Sequence, residues 1–212
     1  MIVVDIEASG MSPMLHSIVS LGAVDFNNPT NKFYEECRID DDSTYSDEAL
    51  RINGFSIGEI TDKKKQTTAE LLKHYFEWAV KISDKTIAGQ NVDFDKYFIN
   101  ETCKKHSLKH QIDKRIVDLH GLCYAKLLAI KREIPLVKES SGLNTDTILK
   151  LVGLDERPGA HNALEDALLE AEAFSRLIYG KNLLPEYQSF SVPTYLLLSG
   201  LETKQNLKGL RR

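Results

Sequence analysis

The sequence predicts an α/β fold in which helices cover a mixed β-sheet. Three β-rich segments open the chain of 212 residues, and helical patterns that alternate with short strands follow them. The length suits one domain with a sizeable core and a small appendage. With 12 glycines and 6 prolines, the composition excludes a low-complexity or disordered chain.

The predicted sheet begins with three consecutive strands. Residues 1–8, 17–26 and 32–38 are rich in β-branched and apolar side chains, which favours strands. The second and third segments flank Asn27-Asn28-Pro29-Thr30-Asn31, a dense turn signal, so we expect them to form a hairpin. A fourth, short strand is expected at 86–89.

Six segments carry helix-start signals or helical spacing of apolar residues. Thr44 or Ser46 begins a short helix over 44–53, and Thr67 or Thr68 begins a longer one whose apolar repeat extends to Ile82. The strand at 86–89 leads into a helix that carries Phe94, Phe98 and Cys103. The other predicted helices cover 117–129, 144–152 and 162–179, the last with a core stripe of Ala163, Ala167, Ala171, Phe174 and Ile178; residues 133–142 are predicted to form a loop.

Charge is distributed unevenly along the chain. The net charge is −4, but residues 1–60 hold 11 acidic and 3 basic side chains, whereas residues 104–132 hold 8 basic and 2 acidic ones. An acidic protein is unsuited to coating long DNA through counterion release. The basic segment is interpreted as a solvated helix face, although it also suits a grip on a short nucleic-acid segment.

Cysteines and hydropathy indicate the expected location. The three cysteines form no CxxC pair, which argues against a disulfide framework or a cysteine-rich zinc site. No apolar run approaches the roughly 18 residues of a membrane span, and the first residues lack the features of a signal peptide. We therefore predict a soluble, cytoplasmic protein with no membrane partner.

The first strand carries two acids that point to metal chemistry. Asp5 and Glu7 are two residues apart, so their side chains leave the same face of a strand, about 6.5–7 Å apart at Cα. That separation brackets two cations spaced about 3.5–4 Å. The alternative is a strand whose one face is simply solvated. Met11, in the turn that follows, is read from its residue type as a packing residue.

A second acidic motif lies where a strand passes into a helix. In Asn91-Val92-Asp93-Phe94-Asp95, the spacing of Phe94 and Phe98 assigns both to the core face. Asp93 is placed to cap or start the helix, which gives it a structural explanation. Asp95 lies off the phenylalanine stripe and has no such explanation, so it is the candidate functional acid.

A third motif opens the last strong helix. Asn162 and Glu165 resemble a capping box, and Asp166 in the first turn favours the helix dipole. His161 precedes the cap in a loop, from which it can reach over the helix N-terminus beside Asp166. The alternative for His161 is an exposed loop side chain.

In this order along the chain, D-x-E, N-x-x-F-D and H-x-A-x-x-D resemble the motifs of the DEDDh 3′–5′ exonucleases, which include proofreading subunits, oligoribonuclease and RNase T. The resemblance runs from Val3 to about Ile178. It implies a ribonuclease-H-like α/β fold, an exonuclease domain at 1–180 and a C-terminal extension at 181–212. It also implies site roles: metal-binding acids Asp5, Glu7, Asp95 and Asp166, the general base His161, and terminal-nucleotide contacts from Ala8 and Met11.

The chemistry of the motifs agrees with that resemblance. Converging carboxylates repel, and oxygen-only ligands select hard cations, so we expect two Mg²⁺ or Mn²⁺ ions per site. Two ions activate water on one side of a phosphodiester and stabilise the leaving oxygen on the other, while a histidine accepts the proton. The predicted reaction releases nucleoside 5′-monophosphates from the 3′ end of single-stranded DNA or RNA.

Two other functions stay open at this point. One is a nucleic-acid-binding module that kept the fold but lost catalysis, although the presence of all five residues argues against it. The other is a metal phosphatase or nucleotide hydrolase acting on small molecules. The departures from the family pattern, Ala8-Ser9 in place of two threonines and Gln90 in place of histidine, bear on substrate preference. Protein partners are not indicated.

Overall fold

The computed structural model describes residues 1–155 and 159–197. Its main sheet has five strands in the order β3-β2-β1-β4-β5. β1, β2 and β3 are antiparallel neighbours, whereas β4 is parallel to β1 and β5 is parallel to β4. The predicted mixed sheet is therefore confirmed, and so is the hairpin. The strands are β1 (Ile2–Ala8), β2 (Ile18–Asp25), β3 (Lys32–Glu36), β4 (Ile87–Gly89) and β5 (Ile116–Asp118).

The described chain divides into two compact units. The first comprises Met1–Asp118 and the segment that ends at Leu168, and the second comprises the residues from Leu119 to 155 and those from Leu169 onward. The whole five-stranded sheet belongs to the first unit.

One face of the sheet in the first unit forms the main core. The even-numbered residues of β1 are buried there with apolar side chains from α3 (Thr68–Ala79) and α4 (Asp93–Lys105). Because side chains alternate along a strand, Asp5 and Glu7 leave the opposite face. The core residues that show this arrangement are Ile2, Val4, Ile6 and Ala8 of β1, Leu71, Leu72 and Tyr75 of α3, and Phe98 and Ile99 of α4.

Helix starts in the first unit follow local capping chemistry. Thr67, rather than Thr68, is the N-cap of α3, where it forms a capping box with Glu70. Ser46, rather than Thr44, is the N-cap residue of α1 (Asp47–Asn53), although its side chain makes no cap hydrogen bond. Ile82 is buried but lies beyond the end of α3, so the predicted helix was too long. The five-residue helix α2 (Ile57–Thr61), with its own capping box, was not predicted.

The second unit contains most of the remaining helices. Its elements are α5 (Leu119–Ala129), a hairpin of β6 (Leu136–Val137) and β7 (Ser140–Ser141), α6 (Thr145–Leu151), a single 3-10 turn (Pro185–Tyr187) and α8 (Thr194–Leu197). Two predictions fail here. The helix expected over 117–129 begins two residues late because its first residues belong to β5, and the loop expected at 133–142 contains the hairpin.

The long helix α7 (Ala163–Tyr179) runs through both units. Its predicted apolar stripe is buried from Ala163 to Phe174, but Ile178 is 40% exposed, so the stripe ends one turn early. Further along α7, the buried Arg176 donates to Glu172, to two carbonyls at the end of α6, and to the carbonyls of Tyr187 and Phe190. This network fastens the segment after α7, for which the sequence predicted no structure.

None of the helices in the described part of the chain combines the length and apolar character needed to cross a bilayer.

Candidate active site

Asp5 and Glu7 come from the middle and the end of β1. Glu7 is buried and Asp5 is half-buried, on the face opposite the main core. Directly after Glu7 the pairing of β1 with β2 slips by one residue, so that Ala8 lies opposite Ile18. Such a bulge bends a strand and changes the direction of its side chains. The register thus places the two predicted acids together and ends regular pairing at the second one.

Asp95 reaches β1 from the first turn of α4. β4 pairs only with Ile2 and Val3, so the edge of β1 beyond them faces α4 instead of a strand. There the backbone N–H of Ile6 donates to Asp95 Oδ1 at 2.9 Å. Burial raises the pKa of Asp95 to about 8, against the lowering effect of this hydrogen bond. The Asp95 carboxyl therefore accepts the hydrogen bond that a neighbouring strand would otherwise accept from Ile6, next to Glu7.

Asp93 contrasts with Asp95. It starts α4, which is one of the two roles expected for it; the N-cap is Val92, whose side chain makes no cap hydrogen bond. Its side chain is exposed and pairs with Lys96. The structure therefore separates the two acids as the phenylalanine stripe predicted: Phe98 is buried in the core and Phe94 packs against it.

His161 and Asp166 lie at the start of α7. The Asn162 side chain accepts from the backbone N–H groups of Leu164 and Glu165, which makes Asn162 the cap that the sequence predicted. Asp166 is buried, and its Oδ2 lies 3.5 Å from His161 Nδ1. The His161 side chain is about one-third exposed, so it is neither a core residue nor a freely solvated one.

Glu7, His161 and Asp166 converge from segments far apart in the sequence. One ligand atom from each lies within 4.8 Å of the other two, the geometry of a group able to hold a metal ion. Asp5 and Asp95 stand outside this 4.8 Å group in the described part of the chain, although both belong to or contact the same strand. The three motifs are thus brought to one end of β1.

A glycine that the sequence reading missed makes this convergence possible. Gly22 is the register partner of Asp5, so it occupies the same face of the sheet. A Cβ at this position would lie 2.2–2.3 Å from the backbone of Ala163 and Leu164. Only a residue without a side chain lets the N-terminus of α7 rest on the sheet here. A glycine inside a strand pattern is the signal that marks such a close approach.

Ala8 and Met11 have different surroundings. Ala8 is buried, and its carbonyl accepts from the Asn53 side chain. Met11 is 80% exposed, so the alternative interpretation of a packing residue was wrong. Between them, Ser9 is buried and its hydroxyl donates to the carbonyl of Thr44 at 2.8 Å. The departure from two threonines therefore leaves a serine that fixes the loop.

Comparison with known proteins identifies the class of enzyme. The model of the RNase T family, described as Exonuclease, matches residues 2–174. The chain therefore belongs to this exonuclease family. Among curated proteins, no relative matches the chain.

Solved structures agree on the fold. The nuclease domain of 3′hExo, a DEDDh family member bound to rAMP, is similar with a TM-score of 0.66 at 18% identity, over 86% of this chain and 93% of that one. The E. coli exonuclease I–ssDNA complex gives 0.64 at 20%, over 84% of this chain but only 40% of that one. A 3′-exonuclease that recognises the histone mRNA stem-loop gives 0.61 at 16%, over 86% and 83%.

These findings confirm the predicted family, fold class and enzyme class. The chain is an exonuclease of this family, and its sheet has the ribonuclease-H-like fold of the DEDDh nuclease domain of 3′hExo. The boundary expected between 1–180 and 181–212 stays a prediction.

Proposed function

We propose that this exonuclease hydrolyses single-stranded 3′ ends with two divalent ions held by Asp5, Glu7, Asp95 and Asp166. The observation that carries the proposal is the approach of Glu7, Asp166 and His161 to within 4.8 Å of one another. Two carboxylate charges about 4 Å apart repel by about 4 kcal/mol at an effective dielectric constant near 20. A cation relieves this repulsion, so the donor set fits a metal.

The donor chemistry favours Mg²⁺ or Mn²⁺. All four proposed acids offer hard oxygen ligands, which these ions prefer. When bound, two such ions lower the pKa of a water molecule and stabilise the negative charge of a leaving oxygen. Burial of Glu7, Asp95 and Asp166 strengthens their electrostatic interactions by excluding water.

His161 is proposed to accept the proton of the attacking water. Its Nδ1 lies 3.5 Å from Asp166 Oδ2, so the carboxylate orients the ring beside the proposed metal site. The water oxygen bonds to phosphorus while the bond from phosphorus to the 3′ oxygen of the preceding nucleotide breaks. That oxygen takes up a proton, leaving a shortened strand with a 3′-hydroxyl and a free nucleoside 5′-monophosphate.

Ala8 and Met11 are proposed to contact the terminal nucleotide. Ala8 follows Glu7 directly, and Met11 presents an exposed thioether, which makes favourable contacts with aromatic rings such as nucleobases. The neighbouring structures hold rAMP, single-stranded DNA and an RNA stem-loop, so the substrate class proposed here includes both DNA and RNA.

The test uses matched single-stranded DNA, RNA and dinucleotides with Mg²⁺, read by product length. We expect stepwise shortening of a 5′-labelled strand, release of 5′-monophosphates, and loss of both in Asp166→Asn. A nucleoside triphosphate serves as the control substrate. If only the triphosphate is hydrolysed, the protein acts on small molecules. Binding of the oligonucleotide without hydrolysis would favour the catalytically silent module.

The cytoplasmic location stays a prediction from the sequence.

A further inference from the structure

Helix α1 is tied at both ends to the segment that follows the strand of the proposed metal site. At its start, the N–H of Ser46 donates to the carbonyl of Ser9 at 2.7 Å. At its end, Asn53 Nδ2 donates to the carbonyl of Ala8 at 3.1 Å. The two ends of this seven-residue helix are therefore hydrogen-bonded to Ser9 and Ala8, the two residues that come directly after Glu7.

Asn53 is an unusual choice for its position. It is only 6% exposed, where an apolar side chain would avoid the cost of burying an amide. Its Oδ1 accepts from the N–H of Phe55 at 3.2 Å, so both ends of the amide are used. The carbonyl that it holds belongs to Ala8, where the ladder between β1 and β2 slips. Asn53 therefore supplies a hydrogen-bond donor to the backbone carbonyl at the bulge beside Glu7.

The residues on either side of Asn53 contact the loop that carries His161. The carbonyl of Ile52 accepts from the backbone N–H of His161 at 3.0 Å. Gly54 has a φ of +75° and ends the helix, and a Cβ there would lie 2.9 Å from the Cβ of Ala160. One helix end thus contacts the backbone on both sides of the proposed site.

We propose that Asn53 is a positioning residue that sets the placement of His161 relative to Glu7. By holding the Ala8 carbonyl, its amide fixes the C-terminal end of α1, and that end in turn fixes the His161 backbone through Ile52. The proposal rests on the proposed function in one respect, the role of His161 and Glu7 in hydrolysis. The placement itself does not depend on it.

The experiment compares Asn53→Ala and Asn53→Asp with a matched control at Asn100. Asn100 makes the same pair of bonds, donating to the carbonyl of Ile112 at 3.2 Å and accepting from its N–H at 2.8 Å. Asn53→Asp keeps an oxygen for Phe55, has no N–H for Ala8 and places a carboxylate oxygen that repels the Ala8 carbonyl, whereas Asn53→Ala removes both bonds without adding a charge. Turnover of a labelled oligonucleotide is measured well below the melting temperature of every variant, with kcat and KM separated.

We expect both Asn53 variants to lose at least 10-fold in kcat with KM within about 3-fold of the parent, because substrate contacts stay while the reacting groups are displaced. Asn100→Ala and Asn100→Asp should keep kcat within about 2-fold. Hydrogen exchange at the His161 amide, measured on metal-free protein, should accelerate at least 10-fold in both Asn53 variants and stay parental in the controls.

Two results would overturn the proposal. One is an active parent in which the Asn53 variants and the Asn100 variants have the same kcat. The other is parental amide exchange at His161 in both Asn53 variants. A parent that hydrolyses no oligonucleotide refutes the proposed function instead, and the amide exchange then decides the positioning role by itself.

Discussion

Two acids in one turn of α4 differ in their surroundings, and this difference predicts which of them takes part in hydrolysis. Asp95 is buried against the backbone of β1, whereas Asp93 is exposed and paired with Lys96. We expect Asp95→Asn to abolish hydrolysis while Asp93→Asn stays active, because only Asp95 is among the proposed metal ligands. Turnover of both variants with a labelled oligonucleotide decides this. An active Asp95→Asn beside an inactive Asp93→Asn would assign the metal-binding role to Asp93 instead.

The same pair of variants gives a pH test without substrate. Burial raises the pKa of Asp95 from its ordinary 3.8 to about 8, so the folded protein binds more protons than the unfolded chain between these values. The stability that this group contributes is therefore fully present below about pH 4 and is lost as pH rises through about 8. Melting temperatures in chelator should fall less steeply over this range in Asp95→Asn. Asp93→Asn should keep the parental slope.

His161 is a residue whose role differs from that of the acids around it. Because His161 is the proposed general base, His161→Ala should lower kcat by about 10²–10⁴-fold while substrate affinity is retained. Initial rates and equilibrium binding, measured from pH 6 to 9, test this. Rates within a few-fold of the parent across that range would leave His161 as a loop residue with no part in the proton transfer.

At the scale of elements, the sequence predicted those with enough residues to show a pattern. β1 and β2 are rich in apolar and β-branched residues, and α4 and α7 show several turns of helical repeat. The five-residue α2 and the two-residue strands β6 and β7 are too short to show a period. The sequence could predict the residues of the candidate site because each motif is local in sequence. It could not predict the residues that bring these motifs together in the fold.

Gly22 and Asn53 show why the joining elements were missed. Each has its function through a segment elsewhere in the chain: the start of α7 rests on Gly22, and the end of β1 is held by Asn53. A strand glycine or a helix-terminal asparagine has many local explanations. Which one applies is decided by tertiary contacts that a single sequence does not show.

The contact of α7 with the sheet at Gly22 gives the prediction at this scale. Gly22→Ala places a methyl group against backbone that has no rotamer with which to yield, so α7 must shift. We expect a loss of about 1–3 kcal/mol in unfolding free energy, as for overpacked cores, and lower turnover because Asp166 moves away from Glu7. Denaturant unfolding and kcat are the measurements. Gly121→Ala, where no atom lies within 4 Å of the new Cβ, is the matched control and should not lose turnover. Parental values in both variants would show that α7 accommodates the methyl group.

For the molecule as a whole, the cluster of acids links metal binding to folding. In the folded first unit Glu7 of β1 and Asp166 of α7 lie close together, so folding has to overcome the repulsion between their carboxylates. An ion that binds the folded state alone adds about 2.7 kcal/mol of stability per site at 100 times its dissociation constant. We therefore expect Mg²⁺ or Mn²⁺ to raise the melting temperature of the parent.

Two variants distinguish binding of the metal ion at the proposed site from a general effect of salt on stability. Asp5→Asn should be more stable than the parent in chelator, since a negative charge on the same strand face as Glu7 is gone, and it should gain less from added Mg²⁺. Asp93→Asn keeps the cluster intact, so its melting temperature should rise with Mg²⁺ as much as that of the parent. Calorimetric scans at constant ionic strength, with and without chelator, provide the comparison. If Asp5→Asn is less stable than the parent in chelator, the acids on β1 do not repel the rest of the site, and the metal-binding role proposed for them fails with that result.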